Sequence, residues 1–208
     1  MSLFPQQISA LRTPLSALND MPKPNARPFK GRPLNAFPDS FVCLDIETTG
    51  LSPVYDDIIE ISALRVEDGA ITDSFSEIIN IHRPLPPFIS SLTGITDAMI
   101  AQGSEAEDVL ARFLDFTGDS VIMGHNVNFD INFLYDNCMA RLGAVFGNPY
   151  VDTLQIARKT LPLLPHHRLD DVMRYYGIRA RDEHRALHDC ELTVACYYRM
   201  KEDLCYEH

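Results

Sequence analysis

Phe41-Val42-Cys43-Leu44-Asp45-Ile46-Glu47-Thr48-Thr49-Gly50 is the stretch on which the rest of the chain depends. Its apolar opening, Phe41 to Leu44, has the length and content of a buried strand. Side chains two residues apart on a strand share a face, so Asp45 and Glu47 project together at its end. Neighbouring carboxylates repel each other. A divalent cation between them removes that repulsion, and Mg²⁺ or Mn²⁺ prefers oxygen ligands of this kind. Taken alone, the same alternation also describes an edge strand with its polar face in water. Gly50 permits a sharp turn after the strand.

Around this stretch lie 208 residues, 46% of them hydrophobic, which predicts one domain of ordinary size plus an extension. No apolar run approaches the ~20 residues of a membrane span, and residues 1–30 lack the continuous apolar segment of a secretory signal. The expectation is a cytoplasmic protein with no membrane partner. Cys43, Cys138, Cys190, Cys196 and Cys205 are odd in number and form no Cys-x-x-Cys pair, which predicts reduced and mostly buried thiols.

The net charge of −11 argues against a nucleic-acid partner, but the charge is unevenly placed. Residues 1–38 carry Arg12, Lys23, Arg27, Lys30 and Arg32 against Asp20 alone, a net +4 that leaves −15 for the remainder. Seven of the fourteen prolines fall in the same segment. Residues 1–38 therefore read as a Pro-rich basic N-terminal extension, extended or locally ordered, and residues 39–208 as the folded domain. A solvated linker and a docking segment for a partner protein or DNA both fit such an arm.

Within the domain, Ile58 to Val66 is rich in β-branched residues, Asp68-Gly69 is a two-residue hairpin signal, and Ile71, Phe75 and Ile79 continue the alternation. Three antiparallel strands follow from this. Ser104-Glu105-Ala106-Glu107 has capping-box spacing before a helical stripe of Val109, Leu110, Phe113 and Leu114, predicting a helix over about 104–116. Val121-Ile122-Met123 reads as a short buried strand, and Val127 to Leu142 as a helix burying Ile131, Leu134, Cys138 and Leu142. A strand followed by a helix implies a parallel crossover. Tyr150-Val151 reads as another strand, before a capped helix opening at Asp152-Thr153-Leu154-Gln155 and stopped by Pro162. Helices over about 168–176, closed by Gly177, and about 186–202 complete the pattern.

Two further acids fall at helix starts. Asp130 ends Gly124-His125-Asn126-Val127-Asn128-Phe129-Asp130, just past a buried strand, where open α/β sheets build their sites. Asp189 ends His184-Arg185-Ala186-Leu187-His188-Asp189. Each also fits an acid that complements a helix dipole. On one regular helix, His184 and Asp189 would lie about 140° apart, so they serve one site only if His184 precedes the helix. His82, His166 and His167 carry no pattern that points to chemistry.

Taken in order, Asp45-Ile46-Glu47-Thr48-Thr49-Gly50, Gly124 to Asp130, and His184 with Asp189 resemble the three motifs of the DnaQ-like DEDDh 3′→5′ exonucleases. The resemblance covers about 40–204. Leu92-Thr93-Gly94-Ile95-Thr96, Asp152-Thr153-Leu154 and Ala157-Arg158 look most like the proofreading exonuclease of bacterial DNA polymerase III, as the epsilon subunit or as the domain embedded in PolC. It implies an α/β, ribonuclease H-like mixed sheet of five strands, the first three antiparallel and the later ones parallel, with helices on both faces. It also implies two divalent cations, Mg²⁺ or Mn²⁺, held by Asp45, Glu47, Asp130 and Asp189, with His184 as general base. Such a pair stabilises attacking and leaving oxygens of an in-line displacement.

By the same resemblance, Glu47, Thr48, Leu51, His125, Asn126 and Phe129 contact the terminal nucleotides, Phe129 by stacking. The implied substrate is a single-stranded 3′ end of DNA, and the implied partner a replicative polymerase subunit. An exoribonuclease acting on RNA has the same motifs, because discrimination of the 2′-OH rests on contacts that no motif marks. A non-catalytic module working through the Pro-rich arm is the third reading, and the intact carboxylates argue against it.

Overall fold

The computed structural model describes residues 26–179 and 185–206. Five strands form one sheet in the order β3-β2-β1-β4-β5. Central β1 (Phe41–Thr48) pairs antiparallel with β2 (Ile58–Glu67), which pairs antiparallel with β3 (Ala70–Ile78). On its other side β1 runs parallel to β4 (Ile122–Gly124), and β4 parallel to β5 (Tyr150–Asp152). The mixed sheet is the one the motifs imply. Asp68 and Gly69 both take positive φ, 49° and 83°, which matches the twist a two-residue hairpin needs.

Period-two alternation sorts the strands onto two cores. Val42, Leu44 and Ile46 of β1 face one cluster, built with helices Ala106–Thr117 and Asn128–Leu142. Phe41 and Cys43 face the other, built with Thr153–Thr160, Leu169–Tyr176 and Ala186–Tyr206. Two short helices, Pro87–Thr93 and Asp97–Gln102, close a third cluster around Ile59, Ile89 and Ile95. In chain order the helices are α1 (Pro87–Thr93), α2 (Asp97–Gln102), α3 (Ala106–Thr117), α4 (Asn128–Leu142), α5 (Thr153–Thr160), α6 (Leu169–Tyr176) and α7 (Ala186–Tyr206). Among the described residues, no helix is long and apolar enough to cross a membrane.

Several expectations change in detail. Helices α1 and α2 show no periodic signal, because seven and six residues are too few to display a 3.6-residue period; their marks are at their ends, Pro87 and Gly94 for α1 and the Thr96 cap for α2. The capping box at Ser104 does not form. Its backbone instead pairs with the end of β3, donating to Ile78 O and accepting from Asn80 N–H, so α3 starts at Ala106. Ile71 and Phe75 do not share a face. A register shift between Arg65 and Val66 sets Phe75 opposite Ala63 but Ile71 opposite Val66, on the other side of the sheet, where Ile71 is 52% exposed. Gly50 leaves space rather than supplying handedness: a Cβ there would lie 2.5 Å from the Asp56 carboxylate and would displace it from the Ser52 N–H that it accepts. Cys43, Cys138, Cys190 and Cys196 are free and buried.

Residues 26–38 lie along the body rather than away from it. Leu34 N–H donates to Tyr150 O and Tyr150 N–H to Arg32 O, so the segment covers the outer edge of β5. Arg27 forms a two-bond ion pair with Asp136, at 2.8 and 2.6 Å, and the Tyr135 hydroxyl donates to Pro28 O.

Candidate active site

Phe41, Cys43, Asp45 and Glu47 lie on one face of β1, and that face changes from apolar to acidic along its length. The apolar half is covered by α7, whose Cys190 carbonyl accepts from the Cys43 thiol and whose own thiol donates to Ser62 O. This packing sets the first turn of α7 over the acidic half. There Asp189 meets the strand: one oxygen from each of Asp45, Glu47 and Asp189 lies within 4.8 Å of the others.

Asp130 arrives from the opposite helical layer. β4 ends at Gly124, so the β4-facing edge of β1 is open beyond Leu44. Asp130 fills that edge and accepts the Ile46 N–H at 3.2 Å. It is 5% exposed and stands outside the group of three mutually close carboxylates. It is nevertheless the neighbouring charge that acts most strongly on Asp45.

Burial and mutual repulsion raise the proton affinity of the site. Asp45 is held well above the ordinary carboxylate range by burial first, then by Asp130, Glu47 and Asp189. Burial also pushes Asp130 up, against the backbone N–H groups of Asp130 and Ile46, which favour its charged form. Glu47 rises to about 7 through burial, Glu60 and Asp189, with Arg185 opposing. An all-oxygen set of repelling carboxylates fits a hard divalent cation, which supplies the missing positive charge.

Glu60 and Arg185 were not anticipated. Glu60 is fully buried on β2, directly opposite Glu47 on the same face, a like-charge pairing that destabilises a sheet unless compensated. Compensation comes from Arg185, immediately before α7, whose guanidinium donates to Glu60 at 2.8 Å. A signal existed, since a lone acid inside Ile58-Ile59-Glu60-Ile61 demands a cation if buried. The sequence does not say which cation. Asp152 was read only as a cap. Its Oδ1 accepts from Leu154 N–H and also from Asn126 N–H at 2.9 Å, pinning Asn126 at a φ of 64°.

The expected substrate-contact residues differ in how far they are open to a ligand. Leu51 is 85% exposed at the tip of the β1–β2 loop, and Asn126 is exposed. Phe129 is half-buried against Phe133, with ring centroids 4.9 Å apart. The Thr48 hydroxyl is turned inward, donating to Gly50 O. Both His125 ring nitrogens are engaged, Nδ1 with the Thr153 hydroxyl at 3.0 Å and Nε2 with His167 O at 2.7 Å. These bonds tie His125 to Thr153 and His167, and burial lowers its pKa from the ordinary histidine value. His184 lies outside the described residues. His188 turns to Glu191, its Nδ1 3.2 Å from that carboxylate.

A ribonuclease H-like sheet with acidic residues gathered at the end of its central strand defines a nuclease, and the fold neighbours are exonucleases. E. coli Exonuclease I in complex with a dT13 oligonucleotide superposes with a TM-score of 0.71 at 21% identity, over 81% of this chain and 42% of that one. Exonuclease X in complex with 5′ overhanging duplex DNA gives 0.63 at 25% identity, over 77% and 90%. The exonuclease family model matches residues 42–197, and the chain belongs to that family. It is similar to the DNA polymerase III subunit epsilon of Aquifex aeolicus, 36% identical over 84% of this chain and 86% of that protein. It is also 40% identical, over 78% of its length, to the DNA polymerase III PolC-type of Latilactobacillus sakei. It spans only 11% of that polymerase.

Proposed function

We propose that this protein hydrolyses DNA from a single-stranded 3′ end, releasing 5′-mononucleotides in proofreading or repair, with residues 39–208 as the exonuclease domain and 1–38 as its extension. The observation that carries the reading is the convergence of Asp45, Glu47 and Asp189 at the end of β1, with Asp130 at the open strand edge beside them. Asp45, Glu47 and Asp189 would hold one Mg²⁺ or Mn²⁺, and Asp45 and Asp130 a second. Bound divalent cations supply Lewis-acid stabilisation of the charge that develops on phosphate oxygens. The remaining roles belong to the chain. Asn126, Phe129 and Leu51 hold the terminal nucleotides, the aromatic ring by sequence-tolerant stacking. His184 accepts the proton of the attacking water. The relatives named as DNA polymerase III components support a cytoplasmic polymerase partner.

Matched single strands of DNA and RNA, labelled at the 3′ or the 5′ end, test this in Mg²⁺, Mn²⁺ or EDTA. Loss of label from DNA 3′ ends first, in metal only, is expected. Faster loss from RNA would make the protein an exoribonuclease, and cutting of circular strands at a comparable rate would make it an endonuclease.

A further inference from the structure

Among the described residues, seven arginines form ion pairs with carboxylates, Arg27, Arg83, Arg112, Arg141, Arg174, Arg185 and Arg199, whereas Arg32, Arg65, Arg158, Arg168 and Arg179 do not. Arg158 and Arg168 are both exposed, and among the described residues neither guanidinium forms an ion pair, although the Arg168 backbone N–H donates to Asp171 at 3.2 Å. They line one cleft of about 640 Å³ together with His125, Asn126, His166 and His167, and no carboxylate lines it. Its floor is braced, because His167 O accepts from His125 and the His167 ring bonds Leu161 O at 2.9 Å. At one rim the cleft reaches Asn126, in the same short segment that carries Asp130.

Two guanidinium groups in one cleft with no carboxylate in its lining, in a protein of net charge −11, suit an anionic ligand, although Asp152 and Asp171 bond the backbone of the lining residues Asn126 and Arg168 from behind. Guanidinium groups suit phosphate, donating in a planar fork. From the shared rim at Asn126 we infer that this cleft is a second nucleic-acid subsite. Arg158 and Arg168 hold backbone phosphates of the strand, on the 5′ side of the nucleotide lying at the carboxylates. The inference rests on the exonuclease reading for that terminal nucleotide. It also accounts for how so acidic a protein grips a polyanion: contact is confined to the metal site and one basic cleft.

The test is equilibrium binding of the full chain, in Mg²⁺ at several salt concentrations, to a labelled single DNA strand of about twelve nucleotides with phosphorothioate linkages that resist cutting. Removing two phosphate contacts from a single strand should lower the salt slope by about 1.4. The double variant Arg158→Gln/Arg168→Gln is therefore expected to bind roughly tenfold more weakly at low salt, with that smaller slope. Lysine at both positions should restore most of the affinity. Arg174→Gln, which removes one exposed charge of α6 outside the cleft, should bind as the parent does. Unchanged affinity and slope in the double variant would overturn the inference, as would an equal loss in Arg174→Gln. Competition by polyglutamate as effective as that by the strand would assign the cleft to an acidic protein segment instead. If the parent binds the strand through these arginines but shortens no unmodified DNA or RNA, the exonuclease reading fails and the cleft stands.

Discussion

Asp45 carries the most concentrated conflict in the described structure, a half-buried carboxyl crowded by three others. A carboxyl whose folded pKa exceeds its unfolded value binds more protons when folded. The stability it adds is complete below the unfolded value and is lost as pH rises through the folded one. For Glu47 that window runs from its ordinary 4.5 to about 7. The metal-free protein should therefore melt at a lower temperature at about pH 8 than at about pH 5, and Mg²⁺ should recover much of the difference. A melting temperature that rises across this interval in EDTA would contradict the account. Asp45→Ala should abolish hydrolysis yet melt no lower than the parent in EDTA, since it relieves repulsion. A clear drop, or retained activity, would remove Asp45 from the metal site. The two nearby histidines divide as well. His184→Ala should lower the rate constant roughly 10²–10⁴-fold and erase the acid limb of the pH–rate profile. His188→Ala, changing a side chain that turns to Glu191, should do little. The reverse result would mean that the base is misassigned.

At the scale of elements, the site depends on how α7 is seated. Its first turn is tied to β2 by Arg185 and Glu60, and its flank lies over Cys43. Arg185→Met leaves the Glu60 carboxylate buried without a cation, which should cost about 3 kcal/mol and weaken metal binding at Glu47 and Asp189. Glu60→Gln keeps a hydrogen-bonding partner and should cost less; chemical denaturation of both variants measures the difference. Equal costs would show that the pair acts only as surface charge. Such a pairing is hard to read in advance. A buried acid announces its need for a cation, but a sequence separation of 125 between Glu60 and Arg185 hides which one answers.

Across the whole molecule, the basic arm and the acidic body are less separate than composition suggests. Residues 26–38 cover the β5 edge and reach β1's core through Pro38, whose carbonyl accepts from buried Tyr197. Deleting residues 1–38 removes these bonds and the Arg27–Asp136 pair. Several bonds at about 1 kcal/mol each should lower the melting temperature by roughly 4–10 °C. An unchanged melting temperature would show that the edge is stable uncovered.

What the sequence determined by itself is local and periodic. Alternation along Phe41 to Glu47 assigned Asp45 and Glu47 to one face, and β-branched runs, the Asp68-Gly69 turn and helical stripes identified all five strands and five of the seven helices found among the described residues. The family motifs then singled out the acids without any coordinates. Tertiary structure alone decided which distant groups answer one another. Asp130 caps the strand edge at Ile46, Asp152 holds Asn126, Arg185 neutralises Glu60, and Ser104 closes a strand instead of capping a helix. Periodicity reports which face a side chain takes. It carries no record of which strand ends early enough to leave an amide open, or of which helix is laid across a buried charge.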